Sequence, residues 1–225
     1  MSGYVIYLND AMRGAPVVNG VAGSRMAILD ALLVNGWGQV TLTSLSVTAG
    51  IATAVVPTGQ TFEVGAIVAV ASAGDPTVNG KYKVLTSSST QVTFALSHAD
   101  GVIAGVTTAK YASAGWIKPF ASTNNAVYRS QKVGGNNRFL RVVDTAATNA
   151  RVYGYNNMTT VSAGTGNFGS ALYWHTSQTA GVAADRYDAF ADEQFINFIP
   201  QPTWLYYAGV DRVYQVGQSK IFGET

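Results

Sequence analysis

Val40-Thr41-Leu42-Thr43-Ser44-Leu45-Ser46-Val47-Thr48-Ala49-Gly50-Ile51-Ala52-Thr53-Ala54-Val55-Val56 reads as two strands folded back on each other. Small and β-branched side chains dominate, and Ala49-Gly50 is a two-residue break of the kind that closes a hairpin. The same texture of Thr, Val and Ala, punctuated by Gly and nearly free of charge, continues to Lys110. It predicts strands over residues 40–48, 51–56, 66–71, 81–86, 91–96 and 102–110. Between the third and fourth lies Asp75-Pro76-Thr77-Val78-Asn79-Gly80, a turn signal, because Asn-Gly readily takes positive φ. Six short strands within residues 40–110 fit a small β-barrel or an Ig/SH3-like module.

Upstream, residues 24–35 carry the one convincing helix. Ser24 can cap it, Met26, Leu29, Leu32 and Leu33 recur at helical spacing, and Gly36 supplies the stop. A helix so short needs a sheet to dock on. Downstream of Tyr111 aromatics and Arg return, with strands expected at 126–131, 138–144, 151–155, 187–199 and 206–216, and loops at 164–169 and around Pro200 and Pro202. The first 39 residues hold only the helix and a strand at 5–8, too little for a core of their own. The expected fold is therefore mainly β. A β-sandwich or barrel-like base domain with one short helix, residues 1–39 plus 111–225, receives the 40–110 module as an insertion.

Composition narrows the function classes. Charged residues are 12% of the chain, about half the usual share, and 14 Lys plus Arg against 12 Asp plus Glu leave a net charge of +2 with no basic run. Direct nucleic-acid binding is not expected from such a chain. With no cysteine there is no disulfide, thiolate zinc site or cysteine nucleophile. No window approaches the about 18 apolar residues of a membrane-spanning helix, and Met1 to Asp10 carries no basic leader region.

The motifs weigh against chemistry. Gly164-Thr165-Gly166-Asn167-Phe168-Gly169 matches Gly-x-Gly-x-x-Gly, but no strand-to-helix context surrounds it, and a surface loop is the expectation. His98 and His175 stand without neighbouring ligands, so no metal or cofactor is expected. Asp185, Asp188, Asp192 and Glu193 form the densest acidic group, which reads as a solvated face beside Arg186. No nucleophile motif or acid/base pair stands out, and the chain is read as no enzyme. Trp174, Trp204, Tyr206 and Tyr207 remain as interface or ligand contacts, together with Asp75 and Asn79 at the tip of the inserted module.

Three stretches resemble small virion proteins of tailed bacteriophages. They are Gly23-Ser24-Arg25-Met26-Ala27-Ile28-Leu29-Asp30-Ala31-Leu32-Leu33-Val34-Asn35-Gly36-Trp37-Gly38, then Ala114-Gly115-Trp116-Ile117-Lys118-Pro119-Phe120 with Ala126-Val127-Tyr128-Arg129, and Arg138-Phe139-Leu140-Arg141-Val142-Val143-Asp144 with Asn149-Ala150-Arg151-Val152-Tyr153-Gly154-Tyr155. The inserted stretch, with Pro76, Asn79, Gly80 and Tyr82, is similar to Thr/Val-rich β-modules on exposed parts of phage particles. The resemblance implies a location class and no functional residue. It implies a virion protein, made in the host bacterial cytoplasm, serving in the tail, neck or baseplate or decorating the head. Its partners would be other virion proteins and copies of itself. An exposed module that binds host-surface polysaccharide is the alternative.

Overall fold

The structure is a computed structural model that describes residues 3–72, 74–175, 180–181, 186–201 and 220–223. In chain order it contains β1 (Ile6–Asn9), the helix α1 (Ser24–Leu29) running into a π-helical stretch (Asp30–Asn35), β2 (Trp37–Thr41), β3 (Ser44–Thr48), β4 (Ile51–Val55), β5 (Ile67–Ser72) and a 3-10 turn (Pro76–Val78). There follow β6 (Gly80–Ser87), β7 (Gln91–Ala95), β8 (Gly101–Val102), β9 (Thr107–Tyr111), β10 (Ile117–Ser122), β11 (Asn125–Arg129) and β12 (Phe139–Val143). The last are β13 (Asn149–Met158), β14 (Gly164–His175), β15 (Arg186–Ala191), β16 (Phe195–Gln201) and β17 (Lys220–Gly223). The fold is mainly β and sandwich- or barrel-like, with one short α-helix among the described residues. The chain divides into two compact units, Met1–Val34 with Ala114–Thr225, and Asn35–Ser113.

The 35–113 unit is one antiparallel sheet in the order β2-β9-β5-β6-β7-β4-β3-β8. β2 ends the order on one side, yet it runs within two residues into β3 near the other. The sheet must therefore curl round on itself, and curling is what lets a small sheet bury one face. The expected strand over 40–48 is broken at this corner. Leu42 N–H donates to Thr107 and Thr43 N–H to Val55, so the chain changes partner between adjacent residues. Ala49 and Gly50 both have positive φ, 51° and 77°, as a two-residue hairpin matched to strand twist requires. Trp37 stacks on Tyr111 and Phe62 meets the same ring edge-on, both at 4.8 Å between centroids, while Val68, Val84 and Phe94 are fully buried. Because Trp37 pairs with Tyr111, β2 belongs to this unit, whose limits lie outside the 40–110 span. The expected 102–110 strand is likewise two, β8 and β9, separated where Gly105 turns at positive φ.

The other unit holds two sheets, the meander β10-β11-β12-β13-β14 and the smaller β1-β15-β16-β17. Trp174 of β14 stacks on Phe198 of β16 at 5.7 Å, and Tyr187 of β15 stacks on the same ring at 5.9 Å. Ile28, Leu29, Leu32 and Leu33 of the helical segment are buried as expected, but so is Arg25, whose guanidinium lies 4.0 Å over the Phe198 ring. Ser24 does not cap the helix. Gly23 is the N-cap at φ 90°, and the carboxylate of Asp144, just past β12, accepts from the N–H groups of Arg25 (2.8 Å) and Met26 (3.2 Å). The segment widens to π geometry where the Leu32 and Leu33 carbonyls accept from the N–H groups of Ala114, Gly115 and Trp116. The expected 187–199 strand is a hairpin, because the Asp192 carboxylate accepts from Gln194 and Phe195 N–H and turns the chain. The 206–216 strand lies outside the described residues.

The Gly-rich run 164–169 is not a loop but the start of β14, paired with β13. Its glycines answer crowding. A Cβ on Gly164 would stand 2.6 Å from the Asn157 carbonyl, and Gly166 takes φ 64° beside Asn156. With no helix following, nothing there cradles a pyrophosphate.

Candidate functional site

Asp75 caps the 3-10 turn, accepting from the N–H of Thr77 (2.9 Å) and from its hydroxyl (2.6 Å), while Pro76 presets the first dihedral. Its second oxygen lies 2.9 Å from His98 Nε2, and His98 Nδ1 lies 2.8 Å from the Ala99 carbonyl. The Thr77 hydroxyl, then His98, hold the Asp75 carboxyl down at about 2. The Ala99 carbonyl, then Asp75, push the imidazole pKa up. Asn79 is exposed at φ −69°, in extended conformation, so the expected positive-φ Asn-Gly turn is absent. The 3-10 turn already reverses the chain, and Gly80 opens β6. The loop is anchored by fully buried Val78, whose carbonyl accepts from the Tyr82 hydroxyl at 3.0 Å.

Trp174 is 2% exposed and belongs to the core, not to a surface. Trp204, Tyr206 and Tyr207 lie outside the described residues, as do Asp185 and the side chain of His175. The remaining acidic group is dispersed into separate jobs. Asp188 accepts from the Tyr7 hydroxyl, Asp192 forms its turn, and Glu193 pairs with Lys132 at 3.3 Å. No group of three His, Cys, Asp or Glu that could hold a metal ion occurs among the described residues.

Sequence reasoning missed a feature of the meander. Ala126, Tyr128, Leu140, Val142, Ala150 and Trp174 point into one core, and the alternate positions face the other way, where Val127, Phe139 and Met158 form a second, small buried cluster with Phe120, Tyr155 and Val161 packed against it. On that second face Arg129 stands opposite Phe139, Arg141 opposite Tyr153 and Arg151 opposite Tyr173. In each pair the guanidinium covers the facing ring, at 5.4, 5.3 and 5.1 Å from its centroid. The device repeats on three successive strand pairs and steps diagonally across the sheet. At one strand and two residues per step, the arginines are about 8 Å apart along the diagonal. No Asp or Glu occurs in β10 to β14. The Nε groups of Arg129 and Arg141 are buried without a hydrogen-bond acceptor among the described residues. Only the register brings these pairs together, since the partners are 10 to 22 positions apart in the chain, with no local motif to flag them.

An exposed surface lies on the smaller sheet. β1 pairs with β15 on one side and with no described strand on the other. Val5 and Tyr7, on the outward face, are 52% and 40% exposed, and the Tyr7 ring stacks on Phe190 at 4.8 Å. Comparison with protein families, with curated proteins and with solved structures finds no match.

Proposed function

We propose that the chain is a non-enzymatic structural subunit of a tailed-bacteriophage particle, a component of tail, neck or baseplate or a head decoration, that binds other virion proteins and copies of itself. The observation that carries this reading is β1. Edge strands of free-standing proteins are normally guarded by charge, proline or a bulge. The sequence Ile6-Tyr7-Leu8-Asn9 has none of these, and it is flanked by exposed Val5 and by the stacked Tyr7–Phe190 pair. An unguarded edge beside an ordered aromatic pair suits strand addition or sheet packing by a neighbour. The resemblance of the three stretches to phage virion proteins and the low charge support the same reading. Symmetric repetition lets each such contact be modest while the assembly is firm.

Electron cryomicroscopy of intact particles from the source lysate tests it. Density for the chain at symmetric positions on head or tail is expected, with β1 at a subunit boundary. Absence from purified particles overturns it. The second reading, an exposed module that binds host-surface polysaccharide, is favoured by the arginine–aromatic face of the meander.

A further inference from the structure

We infer that the second face of β11 to β14, along the diagonal that runs from the edge of the Val127–Phe139–Met158 cluster to exposed Arg151, binds a linear, carboxylate-bearing polysaccharide through Arg129, Arg141 and Arg151. The inference rests on the polysaccharide-binding reading and gives it a site and a ligand chemistry. A guanidinium laid on a ring is held in one orientation and loses little freedom when its in-plane N–H groups are used, which suits two-point recognition of carboxylate. None of the three pairs with a carboxylate among the described residues.

Each described carboxylate is already engaged. Asp30 is held by Lys118 and Tyr128, Glu63 by Tyr111, Asp100 by Ala49 N–H, and Asp10 by Tyr187 N–H. Asp75, Asp144, Asp188, Asp192 and Glu193 have the partners given above.

Repetition in the site calls for repetition in the ligand, so a linear polyanion fits better than a single acid. Two features separate the polymers. Single-stranded nucleic acid is held on sheets by bases stacking on open aromatic faces. Here each of the three rings already has a guanidinium over it. A neutral sugar chain would leave the three guanidinium charges without a counter-charge, in strands that carry no Asp or Glu. Acidic sugars meet both demands, with carboxylates for the guanidinium forks and hydroxyls for the rim, where Asn125, Asn167 and the hydroxyls of Tyr153 and Tyr173 share the face.

The test is binding of the full chain, at low salt and at about 0.15 M salt, to polygalacturonate, with dextran, oligo-dT and poly-L-glutamate as competitors. Arg141→Gln and the triple variant R129Q/R141Q/R151Q are compared with R129K/R141K/R151K, each checked for an unchanged thermal transition. The lysine variant keeps the charge and the fold and loses the fork. Expected are binding of polygalacturonate and not dextran, a loss of at least about tenfold with Arg141→Gln, and an intermediate loss with the lysine triple. Polygalacturonate bound equally by the triple Gln variant overturns the site while leaving the polysaccharide reading standing. No binding by the wild type to polygalacturonate, or tighter binding to oligo-dT or poly-L-glutamate, overturns the ligand class. A wild type that binds no member of a mixed neutral and acidic glycan array removes the polysaccharide reading itself.

Discussion

Asp144 stands where backbone donors of the helix start converge. Its main-chain carbonyl accepts from Gly23 N–H at 2.9 Å and its carboxylate from Arg25 and Met26, all without solvent. Burial pushes its pKa up, and the N–H groups and Arg25 offset that only in part. A carboxyl whose folded pKa exceeds its unfolded value contributes most stability below the unfolded value and loses it as pH rises through the folded one. Asp144→Asn keeps an acceptor oxygen and should flatten that slope. Asp144→Ala strands two helix N–H groups and removes the negative charge near Arg25, and should cost about 3 kcal/mol in urea unfolding. His98 has an acceptor at each ring nitrogen, which only the imidazolium satisfies twice over. Its titration by NMR should lie above 6.5, and Asp75→Asn should lower it. Two titrations bound the pair's stabilising contribution. The His98 share is present below about 6.5 and is lost as pH rises through the folded value; the Asp75 share is present above about 3.8 and is lost as pH falls through about 2.

At the scale of elements, Gly154 shows why β13 and β14 can pair closely. It faces Phe168, and a Cβ there would stand 2.3 Å from the ring. The aromatic lies over the glycine and restores the packing that a missing side chain forfeits. Gly154→Ala should cost about 2 kcal/mol by overpacking, read as a lower denaturant midpoint with the slope unchanged. Such closeness explains what a linear reading could and could not see. The two-residue turn at Ala49-Gly50 and the alternations in β4 and β7 are local signals, and strands form there. The helix is legible from Leu29, Leu32 and Leu33, but its cap comes from residue 144 and its π ending from residues 114–116, which no window around 24–35 contains. Residues 164–169 look like a loop because glycine is dense, whereas the glycines answer to β13 across the ladder. The arginine–aromatic pairs are invisible for the same reason. Asp75 was legible as a turn residue, but its bond to His98 was not.

For the whole molecule, the two crossings between units matter most. In the 35–113 unit Trp37 stands opposite Tyr111, so its ends are neighbours. In the other, the Leu33 carbonyl accepts from Gly115 and Trp116 N–H, so residues 33 and 115 are neighbours too. Each unit therefore closes its own gap. Residues 35–113 expressed alone should fold cooperatively, and so should the remainder with 34 joined to 114 through a short Gly linker. Dispersed NMR spectra from both pieces are the expected result, and a collapsed spectrum from either would show that its core depends on the other. The same layout sets an order of events on the ribosome. The 35–113 unit owns all its strands once Ser113 has emerged, but Ile6 must wait for Ala191, its partner in the ladder. At translation speeds of about 5–20 residues per second that wait is on the order of 10–40 s. The inserted unit finishes during synthesis while the helix and β1 hang without a sheet, so a nascent chain arrested midway would carry one completed core and one sticky, unfinished one for chaperones to hold.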